Sequence, residues 1–574
     1  MEHNENTAQA IELERNVPEE ESCSNVLDRS LWTRKEYLIL CAGVLIQAFA
    51  YAFENSMYYN AVNYVTAYFQ VTSLVSILPT ILEILRAALA PFYTKSSDVF
   101  GRAESTTCAM FFYLLGFVIL GTSKSFVQFA MGQIVYGIGS TGVQILTQVL
   151  IADTTYLINR GIMFALWDMP SLINTFLAQA LTDPLTIPKP GEPKDKWRNV
   201  YIVMGVLALV GAITLLAPLW HLQTKGKRLK NKTYQRRSVK WLFHEFDAVG
   251  SLLITGTLSL TLLPMILAKS YEGNWENPKI LGMLSGGIVF LLLLILWEAK
   301  YTQKPIMSMK IWSNRTAFGG LVIGLLIAIM SNINYQYYTL YLVVSREVTF
   351  GRAILLERGY AVAWLLSQLT TAFLMKRFKT CRPFIWFGIL IHALGVGLMI
   401  PARHPTSSDA FVVISQAIAG VGSGVATVST AVSVTGVVRK QDLATVIGTM
   451  QILSAVGRGL GGALAGGVWT QYLPSRLAAR ITGPYDERLA LNDPLKYIPN
   501  LDPTTKSQLV EAYSDSQMLM TTIACSLAVI TCICALMMKD VDLLSDQTKQ
   551  DEDVEEKRDY SAKAEISKED SAVC

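Results

Sequence analysis

The side chains with most scope for chemistry are the few ionisable ones set inside long apolar runs: Glu54, the Glu83 and Arg86 pair, Asp168 and Arg458. A charge at membrane depth is costly, so such groups turn to a cavity or to a partner. Glu54 has Tyr51 at i−3 and Tyr58 at i+4, which puts a carboxyl between two phenols on one helix face. That grouping can take up a proton or hydrogen-bond a substrate; the bland alternative is a helix-end carboxylate wetted by bulk water. Glu83 and Arg86 stand one turn apart and can neutralise each other. Asp168 precedes Pro170 by two residues, where a proline frees a backbone carbonyl and permits a kink, so a proton-coupling role and a structural one are both open. Arg458 lies in Gly457-Arg458-Gly459-Leu460-Gly461-Gly462. Its guanidinium can meet an anionic ligand, or pair with Asp168 or Glu54.

Neutral donors and acceptors are concentrated in two places. The run from Asn332 to Tyr341 holds Asn332, Asn334, Tyr335, Gln336, Tyr337 and Tyr338. It is too polar for lipid and suits an outward-facing vestibule or an interfacial aromatic belt. The segment 471–516 carries Tyr472, Tyr485, Tyr497 and Tyr513 with Arg476, Arg480 and Arg488, and reads as a capture lid or a connector over the mouth.

Other chemistries are unsupported. The five histidines are scattered and no Cys-x-x-Cys occurs among the eight cysteines, so no metal site or cofactor is expected. Cys41, Cys108, Cys525, Cys532 and Cys534 fall in or at apolar spans, and Cys23, Cys381 and Cys574 on predicted cytoplasmic segments, which argues against a disulfide scaffold. No phosphate-binding GxxxxGK[ST] loop or nucleophile motif is present, which argues against an enzyme. A net charge of +4 spread over loops gives no case for nucleic acid.

The elements that must position these residues are membrane helices. At 51% hydrophobic and 16% charged, the chain is too apolar for a water-soluble protein. Apolar stretches long enough to span predict an all-α membrane protein with helices near 37–58, 72–93, 105–122, 126–151, 161–182, 199–220, 247–268, 280–298, 317–343, 353–374, 383–401, 410–434, 443–470 and 517–538. An even number of spans puts both termini on one side. The loop 222–243, with Lys225, Lys227, Arg228, Lys230, Lys232, Arg236, Arg237 and Lys240, makes that side cytoplasmic. The sequons at Asn231 and Asn314 then face inward. No cleavable leader is visible, and the first span is expected to act as the insertion signal. The acidic tails, 1–36 and 541–574, are predicted to be disordered. Lys549, Lys557, Lys563 and Lys568 offer acceptor sites to a ubiquitin ligase, or belong to a merely solvated tail.

One half echoes the other. The fourth span reads Gln133-Ile134-Val135-Tyr136-Gly137-Ile138-Gly139-Ser140 and the twelfth Gln416-Ala417-Ile418-Ala419-Gly420-Val421-Gly422-Ser423. Glycines at this spacing let helices approach closely. Aligning these spans divides the chain into a six-helix bundle at 37–221, the basic loop 222–246, an inserted pair with its loop at 247–316 and a second six-helix bundle at 317–540, with an axial cavity between the bundles.

The loop Thr94 to Arg102 resembles the D-x-x-G-R gating loop of the major facilitator superfamily through Asp98, Gly101 and Arg102, with Thr94 and Ala103 at positions where that family usually has glycine and a basic residue. The second-half loop Lys376-Arg377-Phe378-Lys379 lacks the full pattern, and Gln133 stands where proton-coupled members carry arginine. The fourteen-span layout, Tyr51-Ala52-Phe53-Glu54-Asn55-Ser56, and Val468-Trp469-Thr470-Gln471-Tyr472-Leu473-Pro474 before a long outer loop are similar to the fungal siderophore-iron transporter family. That resemblance implies import of ferric siderophore complexes such as hydroxamates, driven by protons. It places the protein in the plasma membrane, or in an endosomal or vacuolar one. Relatives with this layout are also linked to haem uptake and to glutathione–proton exchange, and a drug or organic-anion exporter on the same fold is a further alternative. The iron travels inside its chelator, so the protein needs no ligands of its own for it.

Overall fold

The computed structural model describes residues 32–69, 77–186, 195–229, 247–267, 276–302, 309–348, 350–438, 442–492, 497 and 501–543. Both tails beyond Trp32 and Leu543, most of the basic loop with Asn231, and the four tail lysines lie outside these residues. In chain order the helices are α1 (Arg34–Tyr68), α2 (Ile77–Val99), α3 (Arg102–Thr122), α4 (Phe126–Thr154), α5 (Leu157–Asp168), α6 (Pro170–Thr186) and α7 (Arg198–Leu229). There follow α8 (Ala248–Leu267), α9 (Pro278–Lys300), α10 (Met309–Ser313), α11 (Arg315–Tyr335), α12 (Tyr338–Arg346), α13 (Phe350–Glu357) and α14 (Gly359–Phe378). The last are α15 (Arg382–Ala402), α16 (Asp409–Gly436), α17 (Leu443–Gly467), a π-helical turn (Val468–Tyr472), α18 (Leu473–Arg480), α19 (Glu487–Asn492) and α20 (Pro503–Met537).

Each of the fourteen predicted spans coincides with a helix or a broken pair of helices. Eleven helices among the described residues are long and apolar enough to cross a membrane by length and composition alone. The second, seventh and tenth spans fall outside that set: the apolar part of α8 is the shorter Val249–Pro264, Glu83 and Arg86 lie within α2, and Ser367, Gln368 and Thr371 lie within α14. Two boundaries differ from expectation. Helix α1 continues past residue 58 to Tyr68, and α20 starts at Pro503 rather than 517. The early start has a local cause, since the Asp502 side chain accepts from the Thr504 N–H at 3.2 Å and Pro503 fits the first turn. Asn314, one of the sequon asparagines, caps α11 by accepting from the N–H groups of Thr316 and Ala317 at 3.0 and 3.3 Å.

Four of the predicted spans are interrupted among the described residues, the tenth at Arg358 between α13 and α14. The fifth divides at Met169, before Pro170, into α5 and α6, as the proline rule predicts. The ninth divides at Gln336 and Tyr337, and the thirteenth ends in the π turn. One apolar core joins α1 to α7 through residues such as Phe53, Tyr113, Phe129 and Trp197. A second joins α11 to α20 through Ile333, Tyr341, Trp469 and Met520. Helix α8 of the inserted pair packs between them: Ile254, Leu258 and Leu262 meet Ile84 and Ala87 of α2 and Ile452 and Ala455 of α17. Helix α9 instead turns Ile288, Leu292 and Ile295 outward to lipid.

The repeated glycines occupy equivalent contacts in the two bundles. A Cβ on Gly139 would lie 2.1 Å from the Tyr113 nitrogen of α3, and one on Gly422 would lie 2.1 Å from the His392 nitrogen of α15. Gly137 abuts Leu82 and Leu85 of α2, and Gly420 abuts the Tyr360 carbonyl of α14. In each bundle the fourth helix is thus pressed against the third and the second without room for a side chain.

Candidate functional site

Glu54 sits in the interior of α1, 1% exposed, and so is not a wetted helix-end residue. Its carboxylate accepts from the Tyr113 hydroxyl of α3 at 2.7 Å and from the Tyr136 hydroxyl of α4. Among the described residues no cationic nitrogen lies within salt-bridge distance of it. The two face-mates named by the sequence do something else. Tyr58 stacks on Tyr136 at 6.1 Å, and Tyr51 donates to Gln144 Oε1 at 3.1 Å while stacking on Trp167 at 5.9 Å. The phenols that hold Glu54 come from other helices, which no spacing along α1 can reveal. Tyr136 does lie inside the Gln133 to Ser140 repeat, on the turn before Gly137.

Arg458 pairs with neither Asp168 nor Glu54. It reaches from α17 to Glu83 of α2, with its Nε at 2.9 Å and a terminal nitrogen at 2.7 Å from Oε2. Glu83 is therefore not a self-contained pair with Arg86: its Oε1 holds Arg86 at 2.6 Å while its Oε2 holds the opposite bundle. Asp168 accepts from Gln368 of α14 at 3.0 Å, which makes it a cross-bundle residue as well. Gln451 donates to Gln148 across the same divide at 2.6 Å. Gln148, Gln368 and Gln451 had no signal in the sequence beyond being amides inside apolar spans.

Beside these bridges a cavity of about 310 Å³ opens between α11, α14, α16 and α17. Its lining is mostly neutral: Tyr360 donates to Ser423 at 2.9 Å and lies 3.2 Å from the Ser331 hydroxyl, with Trp364 and Thr427 nearby. Among the described lining residues Arg458 is the single charged one. A larger space of about 800 Å³ lies on the outside of α14 and α16. It is bordered by exposed apolar side chains such as Leu366 and Phe387, with Phe176 of α6 at its edge.

At one end of the cavity the bundles meet. A Cβ on Gly448 of α17 would fall 2.8 Å from the Thr94 side chain at the end of α2, and buried Arg160 of α5 donates to the Thr435 carbonyl of α16 at 3.2 Å. The Asp98–Arg102 loop belongs to this end. Gly101 has φ 113°, a conformation that favours glycine. Arg102, 3% exposed, bonds Asp98 at 2.8 Å and Asp153, at the end of α4, also at 2.8 Å. It donates to Ser97 as well. Asp153 completes this ionic cluster and was not among the sequence candidates, since it stands far along the chain from Asp98.

The polar ninth span is divided in its duties. Asn332 donates to the Ala328 carbonyl at 3.3 Å and Gln336 is exposed. The Tyr335 ring lies 5.0 Å from Tyr360, and its buried hydroxyl has no partner among the described residues. Tyr337 stacks on Trp469 of the π turn at 4.4 Å. Tyr341 donates to the carbonyl of Arg403, a fully buried guanidinium lying 3.4 Å over the Tyr338 ring. Arg403 stands at a span end, where positive charge is unremarkable in sequence.

The described part of the segment 471–516 packs on itself. Tyr472 lies under the Arg476 guanidinium at 4.8 Å, Tyr497 accepts from the Asp486 N–H at 2.6 Å, and Tyr485 is half-buried against the second bundle. Arg480 ties α18 to α20 through Glu511 at 2.5 Å and Asp515 at 2.8 Å. Tyr472, Tyr485 and Tyr497 do not line the cavity, whereas Arg458 does and Tyr335 touches its wall. Among the described residues no three His, Cys, Asp or Glu side chains gather as a metal site would require.

The model of the Major Facilitator Superfamily matches residues 44–462. The chain is 27% identical to the siderophore iron transporter mirC of Emericella nidulans, over 78% of this chain and 74% of that one. It is also 27% identical to siderophore iron transporter 2 of Schizosaccharomyces pombe, over 78% and 76%. Among solved structures the human organic anion transporter MFSD10 superposes with a TM-score of 0.53 at 12% identity, covering 88% of this chain and 99% of that one, a likeness of fold alone. Two bundles related by equivalent glycine contacts, the Asp98–Arg102 loop and a match running through both bundles agree: the chain belongs to the major facilitator superfamily, and its similarity to the fungal siderophore-iron transporters extends over most of its length.

Proposed function

We propose that this protein is a secondary importer of ferric siderophore complexes, hydroxamates among them, that works by alternating access with proton symport. The names carried by its relatives support the substrate. The cavity supports it too: hydroxyl and indole groups can bond the neutral oxygens of a wrapped iron complex, with no ligand to iron required. The observation that carries the coupling is Glu54, a buried carboxylate held by two phenol donors and, among the described residues, by no cation. A group so placed can take a proton from one side and release it to the other when the bundles rock. Arg86 is within electrostatic reach of Glu54 and shares Glu83 with Arg458, so arrival of the proton is felt at the bridge between bundles.

In this reading Asp168 and its Gln368 partner mark a second junction that must part during the cycle, and the Asp98–Arg102–Asp153 latch faces the cytoplasm. Both termini are then cytoplasmic, the membrane is the plasma membrane, and a ubiquitin ligase acts on the tails. No catalysis and no resident cofactor are needed. The test is uptake of ⁵⁵Fe-labelled hydroxamate complexes, haem and glutathione by cells lacking other carriers, at several external pH values. Uptake of the hydroxamates that rises with the inward proton gradient is the expected result. Uptake of glutathione alone overturns the proposal.

A further inference from the structure

A groove on the side of α14 away from the inner cavity is built by helical spacing. One wall is the i, i+4 row of Arg358, Val362, Leu366, Thr370 and Leu374 on α14. The other is the matching row from Val413 through Ala417 and Val421 to Val425 on α16. Small residues between them, Gly359, Ala363 and Ser367, form the floor, and Gly420 and Gly424 of α16 abut Ala363 and Ser367. Tyr360 and Trp364 of the same helix line the inner cavity instead. The groove encloses about 800 Å³ and runs about 24 Å from Arg358 to Leu374 at the helical rise, most of a hydrocarbon core about 30 Å thick. Phe176 of α6 borders it, so both bundles contribute.

Among the described residues that line it, Arg358 is the single charged one, and it stands at one end. Its Nε is buried and has no hydrogen-bond partner among the described residues. The neighbouring acids are engaged elsewhere: Glu357 accepts from the Thr339 hydroxyl, and Asp409, one turn before Val413, holds Arg346 at 3.0 Å and Arg352 at 3.3 Å. We propose that the groove holds one membrane phospholipid, with its phosphate on Arg358 and one acyl chain laid between the α14 and α16 rows. A cation at the end of an apolar trough matches that division of head and tail, and a guanidinium binds a phosphate through paired donors. In the orientation proposed above, Arg358 is at the outer-leaflet end of α14. Gln368, which donates to Asp168 across the bundles, lies on α14 between the groove residues Ser367 and Thr371. A lipid seated against α14, α16 and Phe176 therefore touches both sides of that junction, and its occupancy favours the conformation in which the Asp168–Gln368 bond is made.

The experiment uses the purified full-length protein in detergent, stripped of lipid, and three probes: a phosphatidylglycerol, a diacylglycerol with the same chains, and glycerol phosphate, which has the head and no chains. One phosphatidylglycerol per protein should be retained in native mass spectrometry, bound about tenfold or more tighter than the diacylglycerol. A diazirine in the phosphatidylglycerol chain should label peptides covering residues 359–374 and 413–425. Arg358→Gln should bring phosphatidylglycerol to the level of the diacylglycerol, and Arg358→Lys should recover part of the difference, because an ammonium keeps the charge without the planar fork. Thr370→Trp fills the groove from an exposed position and should weaken both lipids about tenfold. A spin-label pair replacing exposed Leu177 on α6 and Phe373 on α14 should move to a single short separation with phosphatidylglycerol and not with the same concentration of diacylglycerol. Equal binding of the two lipids to the wild type, full competition by glycerol phosphate, labelling spread over outward-facing helices such as α9, or phosphatidylglycerol binding that survives both Arg358→Gln and Thr370→Trp overturns the lipid site. A label pair that does not move overturns its coupling to the Asp168–Gln368 junction. None of these outcomes touches the siderophore reading, which is decided by uptake.

Discussion

Replacing Gly139 with alanine tests the packing on which the Glu54 cage rests. A Cβ there would lie 2.1 Å from the Tyr113 nitrogen and 2.3 Å from its Cα, where ordinary contact begins at 3.4 Å. Helices α3 and α4 must part by about 1 Å to admit it, because main chain cannot swing aside as a side-chain tip can. Overpacking of this kind costs about 1–3 kcal/mol, and removing a helix-interior glycine gives back about 1 kcal/mol. With backbone as the obstacle the upper end applies, for a net loss of about 2 kcal/mol. Gly422→Ala meets the His392 nitrogen at the same 2.1 Å and should lose as much. Gly397→Ala, on α15, meets nothing within 4 Å and keeps only the helix gain, so its effect has the opposite sign. Thermal unfolding of the purified variants in one detergent should show the first two midpoints several degrees below wild type and the third slightly above. Uptake measured where all variants are folded should fall for Gly139→Ala, since Tyr113 donates to Glu54. Gly422→Ala acts in the other bundle and leaves that bond intact. If Gly139→Ala unfolds at or above Gly397→Ala, the helix approach described here is wrong.

Glu54→Gln should reduce accumulation of the iron complex and flatten its dependence on external pH in whole-cell uptake; an unchanged pH profile would remove Glu54 from coupling. Asp153→Asn takes one of two carboxylates from buried Arg102 and should cost about 2 kcal/mol locally. Amide exchange over residues 97–103 should then quicken at least about tenfold, and unaltered protection would refute the three-residue latch. Asp502 is held below the usual aspartate range by the hydroxyl and N–H of Thr504. With the folded value depressed, its cap is fully present above the ordinary aspartate range and is lost as pH falls through the folded value. Intrinsic-rate-corrected exchange of the first turn of α20 should rise in that acid window, and Asp502→Ala should show the faster exchange at every pH.

Much of the architecture was legible because the bilayer imposes it. Length and apolarity fixed where spans occur, Pro170 marked the break between α5 and α6, and the glycines of Gln133–Ser140 and Gln416–Ser423 identified the two bundles. The limits of this reading lie where polarity faces inward or a cap acts at a distance from the span. Helix α2 is less apolar than its neighbours because Glu83 and Arg86 turn to an interface, and α20 begins early because Asp502 and Pro503 start it in the outer segment.

The sequence by itself determined that Glu54, Asp168 and Arg458 lie in or at the apolar spans of a membrane protein, where a charge turns to a cavity, a partner or water. It also determined that Asp98 and Arg102 are one turn apart and so can bond. Only the tertiary structure decided that Tyr113 and Tyr136 hold Glu54, that Asp168 meets Gln368, that Asp153 joins the latch, and that Arg458 takes Glu83. The reason is geometric: helical spacing specifies neighbours on one helix, whereas a buried charge is satisfied by whichever donor the packing of separate helices brings within about 3 Å. At the bundle interface those donors come from residues as distant in sequence as α2 and α17, and their pairing is a property of the fold.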